Sequence, residues 1–300
     1  MPIVAVEQMI DHARKNRYAV GYFECWNYES LKAVADAAEA ARSPVLIGFS
    51  GIYLPHPQKQ VCDRLSTFAA MGLDICQNLS VPANLVFNES ADLEWIREAI
   101  RLGFGLVMFT DEHLGLEEQV SNVRNIADLA HRVGACVEGE IIALPGQGGG
   151  LTESPGDLRL TSPEEAKDFV DRTGVDIFAV NVGQAHWHGR REVALDLERL
   201  SQLHQTIQVP LALHGASSIR RGDLTHSIRF GIAKVNIGSK LKQAFFNALK
   251  DACCTAAVDY NPYEILGSGL EQDVLVAGRL ALQTTVREWM SLLESAGREQ

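Results

Sequence analysis

No Cys-x-x-Cys pair occurs among the six cysteines, Cys25, Cys62, Cys76, Cys136, Cys253 and Cys254. A thiolate metal site therefore has no framework, and the scattered spacing suits reduced thiols better than a disulfide scaffold. No apolar run approaches the ~20 residues that cross a bilayer. The opening stretch MPIVAVEQMIDHARK is charged early and lacks an apolar core of signal-peptide length. No Pro- or Ser-rich linker and no block of like charge divides the chain. Positive charge is scarce too: 27 Lys and Arg stand against 38 Asp and Glu, a formal charge of −11. Such an exterior repels phosphate backbones and anionic lipid, so neither nucleic acid nor a membrane is expected as a partner, and the expected location is cytoplasmic. A local positive pocket for a small anion remains compatible with that surface.

What is present is a 300-residue chain, 46% hydrophobic and 22% charged, which suits one large α/β barrel or two modest domains. Short β-branched runs at 19–23, 45–49, 83–87, 105–109, 135–140, 177–182, 211–214 and 234–237 predict eight strands. Between and after them, 29–42, 93–102, 116–133, 162–173, 195–206 and 239–258 read as helices, with Leu31, Val34, Ala35 and Ala38 at helical spacing in the first. Ser162-Pro163-Glu164-Glu165 is a helix start, with a capping hydroxyl, Pro in the first turn and acids at the positive end. This alternation predicts a single (β/α)8 TIM barrel over residues 1–300 with a C-terminal helical extension; a doubly wound sheet is the competing architecture. The Gly-rich segment 145–150 falls inside a βα connection, either as a lid over substrate or as filler.

In such a barrel, function collects just beyond the C-terminal strand ends. There the sequence places Glu24 and Asn27, Asn88 and Glu89, Thr110, Asp111, Glu112 and His113, Glu138 and Glu140, Asn181 and His186, His214, and finally Asn236, Gly238 and Ser239. One His or Glu at a strand end is ordinarily structural. Agreement among nearly all the ends points instead to a ring of metal-capable and acid/base groups.

Several segments carry a family resemblance. They are Ala40-Ala41-Arg42-Ser43-Pro44-Val45, Val107-Met108 with His113, Val137-Glu138-Gly139-Glu140, Leu160-Thr161-Ser162-Pro163-Glu164-Glu165-Ala166 and Thr173-Gly174-Val175-Asp176. The more specific ones are Ala179-Val180-Asn181-Val182-Gly183-Gln184-Ala185-His186, Leu213-His214-Gly215-Ala216-Ser217-Ser218 and Lys234-Val235-Asn236-Ile237. Over nearly its whole length the chain resembles the class II fructose-bisphosphate and tagatose-bisphosphate aldolases. The resemblance implies a zinc-dependent barrel that splits ketose phosphates into dihydroxyacetone phosphate and an aldehyde. It also implies a cation that stabilises the enediolate left when a C–C bond beside a carbonyl breaks. Two of the family's three metal-binding imidazoles match His186 and His214. The third belongs to an Asp-His pair that falls here on Asn88-Glu89. A carboxylate is a competent zinc ligand, so Glu89, His186 and His214 are the expected site for Zn2+ or another divalent ion; the alternative is a lost metal site with Glu89 merely solvated. Asn88 takes the place of the family's proton-shuttling Asp, and an amide carries no proton near neutral pH. Conversely, Glu24 stands where the family has Asn. Glu24 is therefore expected to take over acid/base work, with Glu140, Asp111 and Glu112 as rivals, or else to pair structurally with an Arg. Glu140 is also a possible metal ligand.

For phosphate capture, the resemblance implies Gly215 and Ser217 in the loop after strand seven, and Asn236, Gly238 and Ser239 where the last barrel helix opens, with Lys240 beside them. Trp187 replaces a family Gly and puts a bulky ring near the pocket. Asn261-Pro262-Tyr263 replaces an Asp-Pro-Arg segment, so a second phosphate lacks a bidentate partner and a monophosphate is expected. Arg159, Arg190 and Arg191 sit on loops able to meet a carboxylate or another anion. The expectation is thus a metal-dependent aldolase-type lyase acting on a phosphorylated ketose or sugar acid. The alternatives are epimerisation, isomerisation or decarboxylation through the same enediolate, and a non-catalytic sugar-phosphate-binding or partner subunit. A homo-oligomer is expected, with the stretch 274–293 as a candidate contact.

Overall fold

The computed structural model describes residues 3–146, 159–187 and 191–299. Its strands are β1 (Val20–Glu24), β2 (Val45–Ser50), β3 (Ala83–Ser90), β4 (Leu106–Phe109), β5 (Cys136–Gly139), β6 (Ile177–Val180), β7 (Leu211–Leu213) and β8 (Ile232–Ile237). Each pairs in parallel with its sequence neighbours, and β8 returns to β1, closing the barrel. The predicted (β/α)8 barrel is the observed fold.

Strand alternation sorts the apolar residues into two layers. Tyr22, Leu46, Val86, Leu106, Met108, Ile177, Ala212 and Ala233 fill the barrel interior together with Val6, Met9, Ile10 and Ala13 of α1 (Val6–Asn16), which plugs the N-terminal end. Phe23, Ile47, Phe87, Val107, Phe178, Leu213 and Val235 face outward into the second cluster, against the surrounding helices. Those helices are α2 (Tyr28–Ala41), α3 (Leu65–Asn78), α4 (Leu93–Arg101), α5 (Leu116–His131), α6 (Pro163–Thr173), α7 (Leu197–Thr206), α8 (Arg221–Ile228) and α9 (Ser239–Thr255). Then come the short α10 (Pro262–Ile265) and the long α11 (Val274–Leu292). Ser162 caps α6 as predicted, accepting from the Glu165 N–H, with Pro163 in the first turn.

Two expectations change. The last strand begins two residues earlier than the predicted 234, at Ile232, because Ile232 and Ala233 already pack into the two cores. The C-terminal stretch does not leave its apolar stripe for a partner: Val274, Gly278, Leu282, Val286 and Met290 are buried, and α11 packs on α2 and α9 of its own chain. Of the Gly-rich loop, residues 147–150 lie outside the described residues, as does Arg190.

Candidate active site

A cavity of about 260 Å³ opens at the C-terminal mouth of the barrel. Glu24, Asn88, Glu89, His186, His214, Gly215, Ser217, Asn236, Gly238 and Ser239 all line it. Of the acid/base candidates, Glu140, Asp111 and Glu112 are not in this lining.

The β3–β4 ladder explains how two consecutive residues both reach this mouth. Phe87 pairs with Val107, but the next pairing joins Ser90 to Phe109, so Asn88 and Glu89 oppose a single residue of β4. A bulge of this kind re-aims side chains. Glu89 carries it with φ at 55°, in the left-handed region that few side-chain-bearing residues occupy. Gly215 also lies in that region, at φ 65°, and a Cβ there would sit 3.1 Å from the Ala185 carbonyl. Glycine lets the loop after β7 close onto the segment that carries His186.

Beneath the mouth, six side chains form a continuous polar ring. Lys234 Nζ lies 2.8 Å from Glu138 Oε2, and Glu138 Oε1 is 2.6 Å from His214 Nε2. His214 Nδ1 is 3.0 Å from Glu89 Oε1, and the Asn88 amide donates to Glu89 Oε2 at 2.8 Å. The Asn236 amide donates to Asn88 Oδ1 at 3.2 Å, and its own Oδ1 accepts from Lys234. Burial opposes the charge on His214, but Glu89 and Glu138 outweigh it and push its pKa up to about 10. Burial likewise opposes ionisation of Glu138, yet Lys234 and then His214 hold its pKa below the ordinary value. Asn88, with both amide atoms engaged, has a positioning place in this ring.

Two candidate acids stand outside the ring. Glu24 ends β1 and pairs with Lys242 on the first turn of α9. Lys242 Nζ also sits 5.0 Å from the Tyr53 ring and 5.8 Å from that of Trp26. A Cβ on Gly238 would collide with Glu24 Oε2, so glycine there is what admits the carboxylate to the cradle. Glu140 is buried outside the cavity lining, receives a 2.6 Å hydrogen bond from Thr110 Oγ1, and is pushed up to about 7, chiefly by burial.

Other expected residues have different duties. Asn27 caps α2 through a reciprocal pair with Ser30. Asn181 accepts from the Gly183 N–H. Asp111, Glu112 and His113 line a neighbouring cavity that shares Glu89 and Ile52 with the first. Trp187 is buried outside the cavity lining, with Arg191 over its ring at 5.4 Å. Arg159 pairs with Glu165 at 2.8 Å. Lys240, expected beside the phosphate loop, is not in the lining; Lys242 and Gln243 are. Sequence reasoning missed them, although positions three and four after Ser239 share its helix face.

The donor set fits a divalent cation in part. Glu138 fixes one nitrogen of His214, the carboxylate–histidine arrangement that orients a metal ligand, and turns the other toward Glu89. Their 3.0 Å separation is near the roughly 3.4 Å between neighbouring ligands of a tetrahedral ion with ~2.1 Å bonds. Among the described residues, however, no three His, Cys, Asp or Glu side chains are grouped closely enough to hold a metal. His186 lines the same cavity, and its backbone N–H is held by the Pro145 carbonyl at 2.9 Å. Glu89, His186 and His214 thus share the lining without being drawn together as a three-ligand set.

Comparison with known proteins decides the lineage. The family model for fructose-bisphosphate aldolase class-II matches residues 4–298. The chain belongs to that family. Among curated relatives, sulfofructosephosphate aldolase from Alkalicoccus urumqiensis is 30% identical over 275 residues, covering 90% of this chain and 92% of that protein. The crystal structure of the YdjI aldolase from Escherichia coli K12 superposes with a TM-score of 0.80 at 27% identity, covering both chains completely. Fructose-bisphosphate aldolase from Campylobacter jejuni gives a TM-score of 0.79 over 100% of this chain and 97% of that one; at 18% identity it speaks for the fold. The chain is accordingly a class II aldolase-like carbon–carbon lyase. No described helix is long and apolar enough to cross a membrane.

Proposed function

We propose that this lyase breaks a C–C bond in a ketose or sugar-acid monophosphate, releasing dihydroxyacetone phosphate and an aldehyde, or forms that bond by consuming them. One observation carries the reading: acid/base groups and an anion cradle share a single cavity at the catalytic end of an aldolase-family barrel. In the cradle, Gly215 and Ser217 follow β7, while Asn236, Gly238 and Ser239 lead into α9, whose N-terminal N–H groups favour an anion. The curated relative acts, by its name, on a sugar bearing one phosphate. That agrees with the missing arginine in Asn261-Pro262-Tyr263.

Glu24 is the proposed general base for the hydroxyl beside the breaking bond, and its ion pair with Lys242 fixes where its carboxylate sits in the cavity. Glu140, outside the cavity lining and raised to about 7 chiefly by burial, is the rival to Glu24 as proton carrier. Asn88 orients without exchanging protons. Glu89, His186 and His214 would hold the divalent cation, Zn2+ by donor type, and such an ion would supply Lewis-acid stabilisation of enediolate oxygens. The carboxylate in place of an imidazole lowers the charge of that centre. Homo-oligomerisation belongs to the same proposal and is read by light scattering of the purified protein.

The deciding experiment measures dihydroxyacetone phosphate release from a panel of ketose monophosphates, with and without chelator. Release from at least one, lost on chelation and restored by zinc, supports the reading. No release from any of them, with a folded protein that binds no metal, overturns it in favour of a binding subunit. Glu89→Ala should abolish near-stoichiometric zinc in elemental analysis.

A further inference from the structure

At the opposite end of the barrel lies a cavity of about 320 Å³ whose lining contains Arg14, Arg17, Arg229 and His204, and no acidic residue. Its floor is Tyr18, which precedes β1, and Gly231 and Ile232, where β8 begins. Ile232 and Asn236 bound the two cavities from the same strand, four residues or roughly 13 Å apart. In a chain of formal charge −11, a pocket lined by three guanidinium groups is a local reversal of sign.

Helix ends do not account for it. α1, α7 and α8 all terminate here, and each carbonyl end carries about half a negative charge. Together they offset about one and a half of the three guanidinium charges. Arg14 is further engaged by Asp11 at 3.6 Å and by the Gln208 carbonyl at 2.8 Å. The guanidinium groups of Arg17 and Arg229 make no hydrogen bond or ion pair among the described residues. Arg17 projects from a left-handed backbone, φ 56°, at the end of α1. Gly231, also in the lining, has φ 90°, and any Cβ there would collide with the His204 ring. A fourth guanidinium, Arg298, lies 5.8 Å from the Tyr18 ring.

We infer that this N-terminal cavity is a second anion site, for a small phosphate-bearing ligand, with Arg17 and Arg229 as its principal contacts. Two planar guanidinium groups match the oxygens of a phosphoryl dianion, and the volume admits a short ester chain beyond inorganic phosphate. The site is independent of the aldolase cavity, whose lining contains no arginine.

Phenylglyoxal labelling of the full chain tests it, read arginine by arginine by peptide mass spectrometry, in chloride and in glycerol 3-phosphate or inorganic phosphate at matched ionic strength. Labelling of Arg17 and Arg229 should slow at least five-fold with millimolar glycerol 3-phosphate, while Arg101, on α4, keeps its rate. Equal protection by inorganic phosphate assigns the site to the free ion; weaker protection assigns it to an ester. In R17Q/R229Q, protection of Arg14 should disappear. Absence of protection at Arg17 and Arg229, protection of Arg101 to the same degree, or persistent protection of Arg14 in the double variant overturns the inference. Aldolase activity plays no part in this readout, so a failure here leaves the catalytic reading standing.

Discussion

Two Glu–Lys pairs serve one barrel mouth under opposite conditions. Glu138 and Lys234 are both fully buried, and each is gripped elsewhere, Glu138 by His214 and Lys234 by Asn236. Glu24 and Lys242 meet at the cavity, with 41% of the Lys242 side chain exposed. Desolvation makes the first pair intolerant of losing a partner, since the ion left behind has no water to turn to. The second can dissolve at little cost because solvent or substrate replaces either partner. The same two residue types thus give a fixed support in one place and an exchangeable contact in the other.

The contrast is sharpest where one partner is removed. Glu138→Gln should cost about 3–5 kcal/mol of stability, read from denaturant unfolding, because it strands Lys234 and unbinds His214. A loss below about 1 kcal/mol would erase the distinction between the pairs. Glu24→Gln should instead lower turnover by about 100-fold or more with little change in unfolding midpoint; unchanged turnover would move the base elsewhere, to Glu140 first. Glu140→Gln probes the proton held outside the cavity lining. Its carboxyl, raised to about 7, contributes stability fully present below the ordinary value of 4.5 and lost as pH climbs through 7. The amide, which mimics the protonated form, should gain on wild type above pH 7 and flatten the limb of the kcat/KM profile near that pH. Smallest of all, Lys242→Met should shift stability by less than about 1 kcal/mol in thermal unfolding.

The strands were legible because buried parallel strands demand uninterrupted β-branched runs, as in Val45–Ser50. Helices α1, α3 and α8 escaped the pattern reading. α8 is only eight residues long, and α3 mixes small and polar residues around its buried Leu65, Phe68 and Ile75. At the site, motif and strand end alone pointed to His186, His214, Gly215, Ser217, Asn236, Gly238 and Ser239, which share one cavity lining. The partner of Glu24 could not be found that way: the structural alternative was an arginine, and it is Lys242, more than two hundred residues away in sequence. Nor does any local signal reveal that His214 touches two carboxylates, since Glu89 and Glu138 come from different strands. Contacts of that kind exist only after closure of the barrel.

In a strand without irregularity, positions 88 and 89 would look opposite ways, one inward and one toward the helix layer. The surplus residue in β3 is what lets an amide and a carboxylate work side by side. Deleting either one would therefore do more than subtract a functional group. It would restore regular pleating and rotate the survivor's neighbours to the other surface, so the local geometry, and not composition alone, decides what this stretch of chain can offer a reactant.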